Sequence, residues 1–224
     1  MEYFQTIFQN RSKAGEKLAK KLLPYTFEKP IILTLPREGV PVASKVAEKL
    51  EAPLDVIIAR NLRAIDTEIV FGAIAAGDVV VLDRSIQRSL DLSNDEVAAI
   101  IETEKKLLIA DMLKYDSGSH VVRHTAPHTV IIVDDGQASG IKVRAAIEAA
   151  KILYNPQSVV FAAPVCSRDT EFMIKDLVDD IVFVNNPRHL LSIFNWYDEY
   201  TKVSDDEARS YLKQFFSPKP LLSF

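Results

Sequence analysis

The stretch Thr129-Val-Ile-Ile-Val-Asp-Asp-Gly-Gln-Ala-Ser-Gly-Ile-Lys142 constrains the fold of this chain more than any other. Val130 to Val133 are uninterrupted apolar residues and read as a buried strand. Asp134 and Asp135 stand at its end. A small, turn-prone run from Gly136 to Gly140 then opens a helix that carries Ala145, Ala146, Ala149 and Ala150. In an open α/β sheet, ligands bind beyond the carboxyl ends of the strands. The start of a helix offers unpaired N–H groups to a phosphate. Adjacent carboxylates suit a sugar diol or a Mg²⁺ ion. One loop therefore presents an anion cradle beside a hydroxyl or metal site, and that pairing suits a phosphorylated sugar.

The flanking pattern agrees with such a sheet. Asn10 to Leu23 has helical spacing, with Asn10 as N-cap. Ile31 to Leu35 reads as a strand, Gly39 to Leu50 as a helix and Leu54 to Ala59 as the next strand. Strand, helix and strand at this spacing form a parallel βαβ unit. Ile69 to Ala76 and Val79 to Leu82, separated by Gly77-Asp78, predict a hairpin with a two-residue turn. Ser93 to Tyr115 predicts a long helix, with Ser93 and Glu96 in capping-box spacing and Ser117-Gly118 ending it. Ser158 to Ala163 predicts a strand ending at Pro164, Arg168 to Leu177 a helix, Ile181 to Val184 a strand. Asp205-Asp206-Glu207 opens a last helix, where acidic residues favour the macrodipole. The expectation is an α/β fold with a mostly parallel open sheet flanked by helices, in one domain over residues 1–224. The hairpin and long helix (about 66–125) form an insertion over the strand ends, beside a small hood.

Composition narrows the partners. The chain has 224 residues, 48% of them hydrophobic, enough for one sizeable core. A formal net charge of −4 argues against broad nucleic-acid binding, which wants a basic face, yet leaves room for a small polyanion. No apolar run approaches the roughly 20 residues of a membrane helix. The first residues lack a basic, then apolar, secretory pattern, so cytoplasm is the default location. A single cysteine, Cys166, excludes an internal disulfide and reads as a small buried hydrophobe. His120, His124 and His128 are spaced by four, but Pro127 argues against one helix face, and they read as a polar loop rather than a metal site.

The central stretch resembles the motif of the type I phosphoribosyltransferases that binds 5-phosphoribosyl-1-pyrophosphate (PRPP): an apolar strand, two acids, a short loop, then Thr-Gly-x-Thr. The resemblance implies that Asp134 and Asp135 bind the ribose hydroxyls, act as the catalytic pair and help place Mg²⁺. It makes Gly136, Gln137, Ala138, Ser139, Gly140, Ile141 and Lys142 the 5-phosphate loop, with Lys142 in place of the last Thr. Leu33-Thr-Leu-Pro-Arg-Glu-Gly-Val-Pro-Val-Ala43 is similar to one subgroup's Leu-Pro-Arg-Gly-Gly-Val-Pro-Val-Ala turn. In the family that turn binds pyrophosphate and often holds a non-proline cis peptide. It implies Arg37, Glu38 and Gly39 as pyrophosphate residues, with Glu38 in place of a glycine. Asp55-Val-Ile-Ile-Ala-Arg-Asn-Leu62 adds Arg60 as a second-tier pyrophosphate residue, with Asn61 where the subgroup has Lys. Trp196-Tyr-Asp-Glu-Tyr…Val203-Ser-Asp205 resembles the subgroup's C-terminal signature. Trp196 and Tyr197 read first as packing residues, with base stacking as the functional alternative.

The implied reaction transfers the 5-phosphoribosyl group to a nitrogenous acceptor and releases pyrophosphate. It calls on positioning and electrostatics rather than a covalent nucleophile. Arg63 and the hairpin are candidates for a water-excluding lid. Ala138 stands where purine enzymes often carry an extra Asp, so the acceptor stays open. Two alternatives stand beside catalysis: a non-catalytic module sensing PRPP or a nucleotide, and a scaffold with a decayed site. A homodimer is also open.

Overall fold

The computed structural model describes residues 8–65, 67–115, 128–136 and 139–216. Helix α1 (Arg11–Leu22) starts at Asn10, whose side-chain oxygen accepts from the Lys13 amide at 3.0 Å. Strand β1 (Ile31–Thr34), helix α2 (Val40–Leu50) and strand β2 (Leu54–Val56) follow. Pro41 lies in the first turn of α2, where its missing N–H leaves no acceptor unpaired. Next come β3 (Ala59–Arg63), β4 (Val70–Ala75), β5 (Val79–Leu82), α3 (Arg84–Ser89) and α4 (Asn94–Tyr115). The chain continues through β6 (Thr129–Val133), α5 (Gly140–Tyr154), β7 (Ser158–Val165), α6 (Arg168–Ile174), β8 (Asp180–Asn185) and α7 (Asp205–Phe216).

The main sheet has the order β2-β1-β6-β7-β8, and every pair in it is parallel. Its strands therefore end at one edge, where Thr34 Oγ1 donates to the Val133 carbonyl at 2.8 Å. Side chains alternate between two cores, as the period of two demands. Ile32, Ile131, Val133 and Val160 face α1, α2 and α7. Ile31, Leu33, Val130 and Ile132 face α5. Ala145, Ala146, Ala149 and Ala150 are all fully buried on that side, and their size lets α5 lie close to the sheet. Among the described residues no helix is long and apolar enough to cross a membrane.

A second, antiparallel sheet has the order β3-β4-β5. It corrects the sequence reading of residues 54–59 as one strand. The Ile57 amide still bonds to Thr34 of the main sheet, whereas the Ile58 carbonyl already accepts from Ala76 beside the second sheet. One apolar run thus serves two cores, and β3 was hidden behind it. The hairpin is present, but Ala75 pairs with Val79, so its turn has three residues rather than two. Helix α3 was also unforeseen. Asp83 caps it by accepting from Ser85 and Ile86 amides at 2.9 and 3.0 Å.

The capping box of α4 is formed: Ser93 Oγ accepts from the Glu96 amide, and the Glu96 carboxylate accepts from the Ser93 amide. The Ser117-Gly118 stop lies outside the described residues. Strand β7 runs through Pro164 to Val165 rather than stopping there. Ala162 accepts from Asp134 on the β6 side, so two residues later the amide-less Pro164 nitrogen faces the space where β6 has already ended. Helix α6 ends at Ile174, and turn hydrogen bonds carry the chain to Leu177.

Candidate functional site

The site is built at the carboxyl edge of the main sheet, where β1 and β6 lie side by side. The Asp134 amide extends the ladder by one bond, to Ala162. The Asp134 carboxylate then turns back and accepts from the Gly136 amide at 2.9 Å. Gly136 has φ +102°, and a Cβ there would lie 2.7 Å from the Val165 carbonyl oxygen. Only glycine fits this turn without displacement.

Asp135 points elsewhere. Its carboxylate accepts from Arg11 Nε at 3.0 Å and from the Tyr200 hydroxyl at 2.9 Å, and its main-chain carbonyl accepts from the Tyr197 hydroxyl at 2.8 Å. Arg11 and Asp135 are 5% and 1% exposed. Arg11 also donates to the Thr201 carbonyl and lies over the Tyr200 ring at 3.8 Å. Burial pulls the Arg11 pKa down, but the charge and hydrogen bond of Asp135 outweigh it, so the guanidinium stays charged. Burial first, and the Asp135 charge second, push both tyrosine hydroxyls up, which keeps them donors. The two ends of the chain thus clamp the second acid. Phe8 completes this hood by exchanging backbone bonds with Trp196 and Asp198. Tyr197 packs against Phe8 and Tyr200 with ring centroids 5.4 and 5.2 Å apart.

Facing the acids is the turn after β1. The Pro36–Arg37 peptide is cis. A Cβ on Gly39 would sit 2.5 Å from Thr34 Oγ1 and 2.7 Å from the Leu35 carbonyl oxygen, so glycine is required there as well. Glu38 turns its carboxylate back onto the Arg37 amide at 3.3 Å. Arg37 reaches Asp205 of α7 at 3.8 Å.

The loop before α5 forms the third wall. Gln137 and Ala138 lie outside the described residues. Ser139 is the N-cap of α5 but spends its hydroxyl on Asn61 of β3 at 3.1 Å rather than on the helix, so the first amides of α5 have no side-chain cap. Gly140, Ile141 and Lys142 form the first turn. These walls enclose an inner cavity of about 260 Å³ that Leu35, Gly39, Asp134, Asp135 and Ser139 help to line. An outer cavity of about 420 Å³ lies beyond it, under α4. Pro36, Glu38, Asn61, Arg63 and Lys142 line both.

Arg60 does reach the outer cavity, but two carboxylates of α4 hold it: Glu104 and Asp111, each at 2.6 Å. Asp205 accepts from Tyr115 at 2.6 Å and pairs with Lys114 at 3.0 Å, which ties α7 to α4. Sequence reasoning missed Arg11, Tyr200 and this α4 network. Glu104 and Asp111 stand two helical turns apart on one face, a signal that was present. Arg63 pairs with Glu68 at 3.1 Å. Cys166 is buried and its thiol is pushed up to about 12, chiefly by burial. The His128 ring nitrogen Nδ1 lies 3.2 Å from the Thr129 hydroxyl, while His120 and His124 lie outside the described residues. No cluster of three or more His, Cys, Asp or Glu suited to a metal occurs among the described residues.

Residues 5–191 match the model of the phosphoribosyl transferase domain. A Mycobacterium tuberculosis protein, provisionally named a phosphoribosyl transferase, is 33% identical over 210 residues, covering 92% of this chain and 46% of its own length. The chain thus spans about half the length of the curated relatives it matches. A Thermus thermophilus protein of known crystal structure is 27% identical, with a TM-score of 0.69 over 94% of this chain and 99% of that one.

Proposed function

The chain belongs to the type I phosphoribosyltransferase family, and from that premise we propose that it transfers the 5-phosphoribosyl group of PRPP to a nitrogenous acceptor, a nucleobase or a related compound, with release of pyrophosphate. The observation that carries this reading is the inner cavity, where the end of β6, the start of α5 and the Pro36–Gly39 turn meet around about 260 Å³. In the reaction, the bond from ribose C1 to the diphosphate oxygen breaks as the acceptor nitrogen bonds to C1. Positive charge grows on the sugar and negative charge on the leaving group, so fixed charges and dipoles supply the catalysis.

Asp134, with its carboxylate at the cavity, is the partner for the ribose hydroxyls and the neighbour of the developing positive charge. Asp135 contributes through its position, held by Arg11 and Tyr200. The backbone from Gly136 through Gln137, Ala138, Ser139, Gly140 and Ile141 to Lys142 is the 5-phosphate loop. The Arg37, Glu38 and Gly39 turn receives the diphosphate, with Arg60 behind it. Asp134 and Asp135, adjacent acids lining the inner cavity, fit the way Mg²⁺ is commonly held, by one or two carboxylates together with ligand phosphates. Asp134 and Asp135 would hold it, and the ion would neutralise charge on the leaving diphosphate.

Calorimetric titration of PRPP with Mg²⁺ into the wild type and into Asp134→Asn tests the site. Asparagine keeps an acceptor for the Gly136 amide and leaves the Arg11–Asp135 pair intact, so lost binding reports on the ligand rather than on the fold. Pyrophosphate release across a panel of nitrogenous bases then tests transfer. An absence of PRPP binding by the wild type overturns the reading. Glu38 favours a second reading, a non-catalytic PRPP or nucleotide sensor, because its carboxylate already engages an amide of the diphosphate turn. Tight binding without pyrophosphate release for any acceptor selects that alternative.

A further inference from the structure

Five cations line the outer cavity: Arg37, Arg60, Arg63, Lys114 and Lys142. Four already face carboxylates. Arg37 faces Asp205, Arg60 faces Glu104 and Asp111, Arg63 faces Glu68, and Lys114 faces Asp205 and Asp111. Lys142 alone has no carboxylate partner among the described residues. Glu38 is its counterpart, an anion lining the same two cavities with no ion-pair partner among the described residues. Both line the inner and the outer cavity, so they stand where the two spaces join.

Resting on the function proposed above, we propose that the Lys142 ammonium binds the diphosphate of PRPP rather than its 5-phosphate, and so offsets Glu38. The backbone of Lys142 belongs to the first turn of α5, beside the 5-phosphate loop. Lys142 lines both cavities together with Pro36 and Glu38 of the opposite turn. A lysine is a compact charge on a flexible stem, suited to spanning such a gap. A diphosphate arriving next to Glu38 meets like charge, and the other cations would have to leave carboxylates to answer it. Lys142 is available without breaking an ion pair. On the 5-phosphate side the neutral contact between Ser139 and Asn61 already shapes the loop.

The test uses inorganic pyrophosphate and ribose 5-phosphate as separate probes, each titrated calorimetrically with Mg²⁺ into the full chain. The proteins are the wild type, Lys142→Thr and Asn61→Lys/Lys142→Thr. Position 142 is partly buried in a first helical turn, and an unchanged melting temperature verifies that the variant is folded. Loss of one charge-assisted contact predicts about tenfold weaker pyrophosphate binding in Lys142→Thr. Ribose 5-phosphate binding should change by less than about twofold, since no charge-assisted contact to it is lost. A lysine at Asn61, which lines the same two cavities, should restore most of the pyrophosphate affinity. Equal weakening of both probes makes Lys142 a 5-phosphate residue and overturns the proposal. Unchanged pyrophosphate binding, or no restoration from position 61, overturns it too. In those cases the wild type still binds both probes and the proposed function stands. A wild type that binds neither probe removes both.

Discussion

Replacing Arg11 by methionine tests how the second acid is held. Both partners are buried, at 5% and 1% exposure, so solvent does little to screen the pair. Removing one member of a buried ion pair typically costs about 3–5 kcal/mol, because the remaining charge is stranded. Two features set the expected size here. The Tyr200 hydroxyl still donates to Asp135 after the substitution. Arg11 Nη2 also has no hydrogen-bond partner among the described residues, so deleting the guanidinium removes a donor unsatisfied there along with the pair. Both favour the lower end, about 3 kcal/mol, or a melting temperature lower by about 6–12 °C for a chain of this length. The assay is urea unfolding of four proteins: wild type, Arg11→Met, Asp135→Asn and the double variant. Neither charge is stranded in the double variant, so its loss should fall short of the sum of the single losses by at least about 1 kcal/mol. A loss below about 1 kcal/mol in Arg11→Met, or additive losses, would refute the clamp.

Three further outcomes follow from the geometry. Gly39→Ala should lower stability by about 1–3 kcal/mol and weaken PRPP binding in calorimetry, because its Cβ would crowd Thr34 Oγ1 at 2.5 Å; unchanged affinity would show that the turn is not part of the ligand site. Cys166 should fail to react with a thiol reagent at pH 8 in the native protein and react fully in denaturant, since its thiol is buried and pushed up to about 12. The bonds from Tyr115 and then Lys114 hold the Asp205 pKa below 3.8. A carboxylate depressed on folding stabilises above its unfolded pKa and loses that contribution as the pH falls through the folded value. Melting temperatures of the wild type and Asp205→Asn should therefore differ at pH 5 and converge as the pH drops below about 3.8; a constant difference at all pH values would exclude an ionised Asp205 as the cause.

The parts of the site that were legible in the sequence are those that residues close in the chain build together. Strand β6, the two acids and the alanine-rich α5 announce themselves because apolar run, turn and helix follow one another without interruption. The capping box of α4 and the Asn10 cap are equally local. The break between Ile57 and Ile58 was not legible, since both flanking environments are apolar and a continuous hydrophobic run gives no sign that its second half has changed sheets. The clamp on Asp135 was hidden for a different reason. Arg11 and Thr201 are 190 residues apart, and neither position carries a pattern that marks it as a partner for a buried acid. The adjacent aspartates look equivalent in sequence, yet successive residues leaving a strand point in opposite directions. Both line the inner cavity, but the Asp135 carboxylate is bonded to Arg11 and Tyr200 of the hood while that of Asp134 accepts from Gly136. This geometry gives the acidic pair different protein partners, with Asp135 joining the hood to the cavity that both acids line. Changes in the hood should thus reach the ligand through Asp135, although Arg11 and Tyr200 line neither cavity.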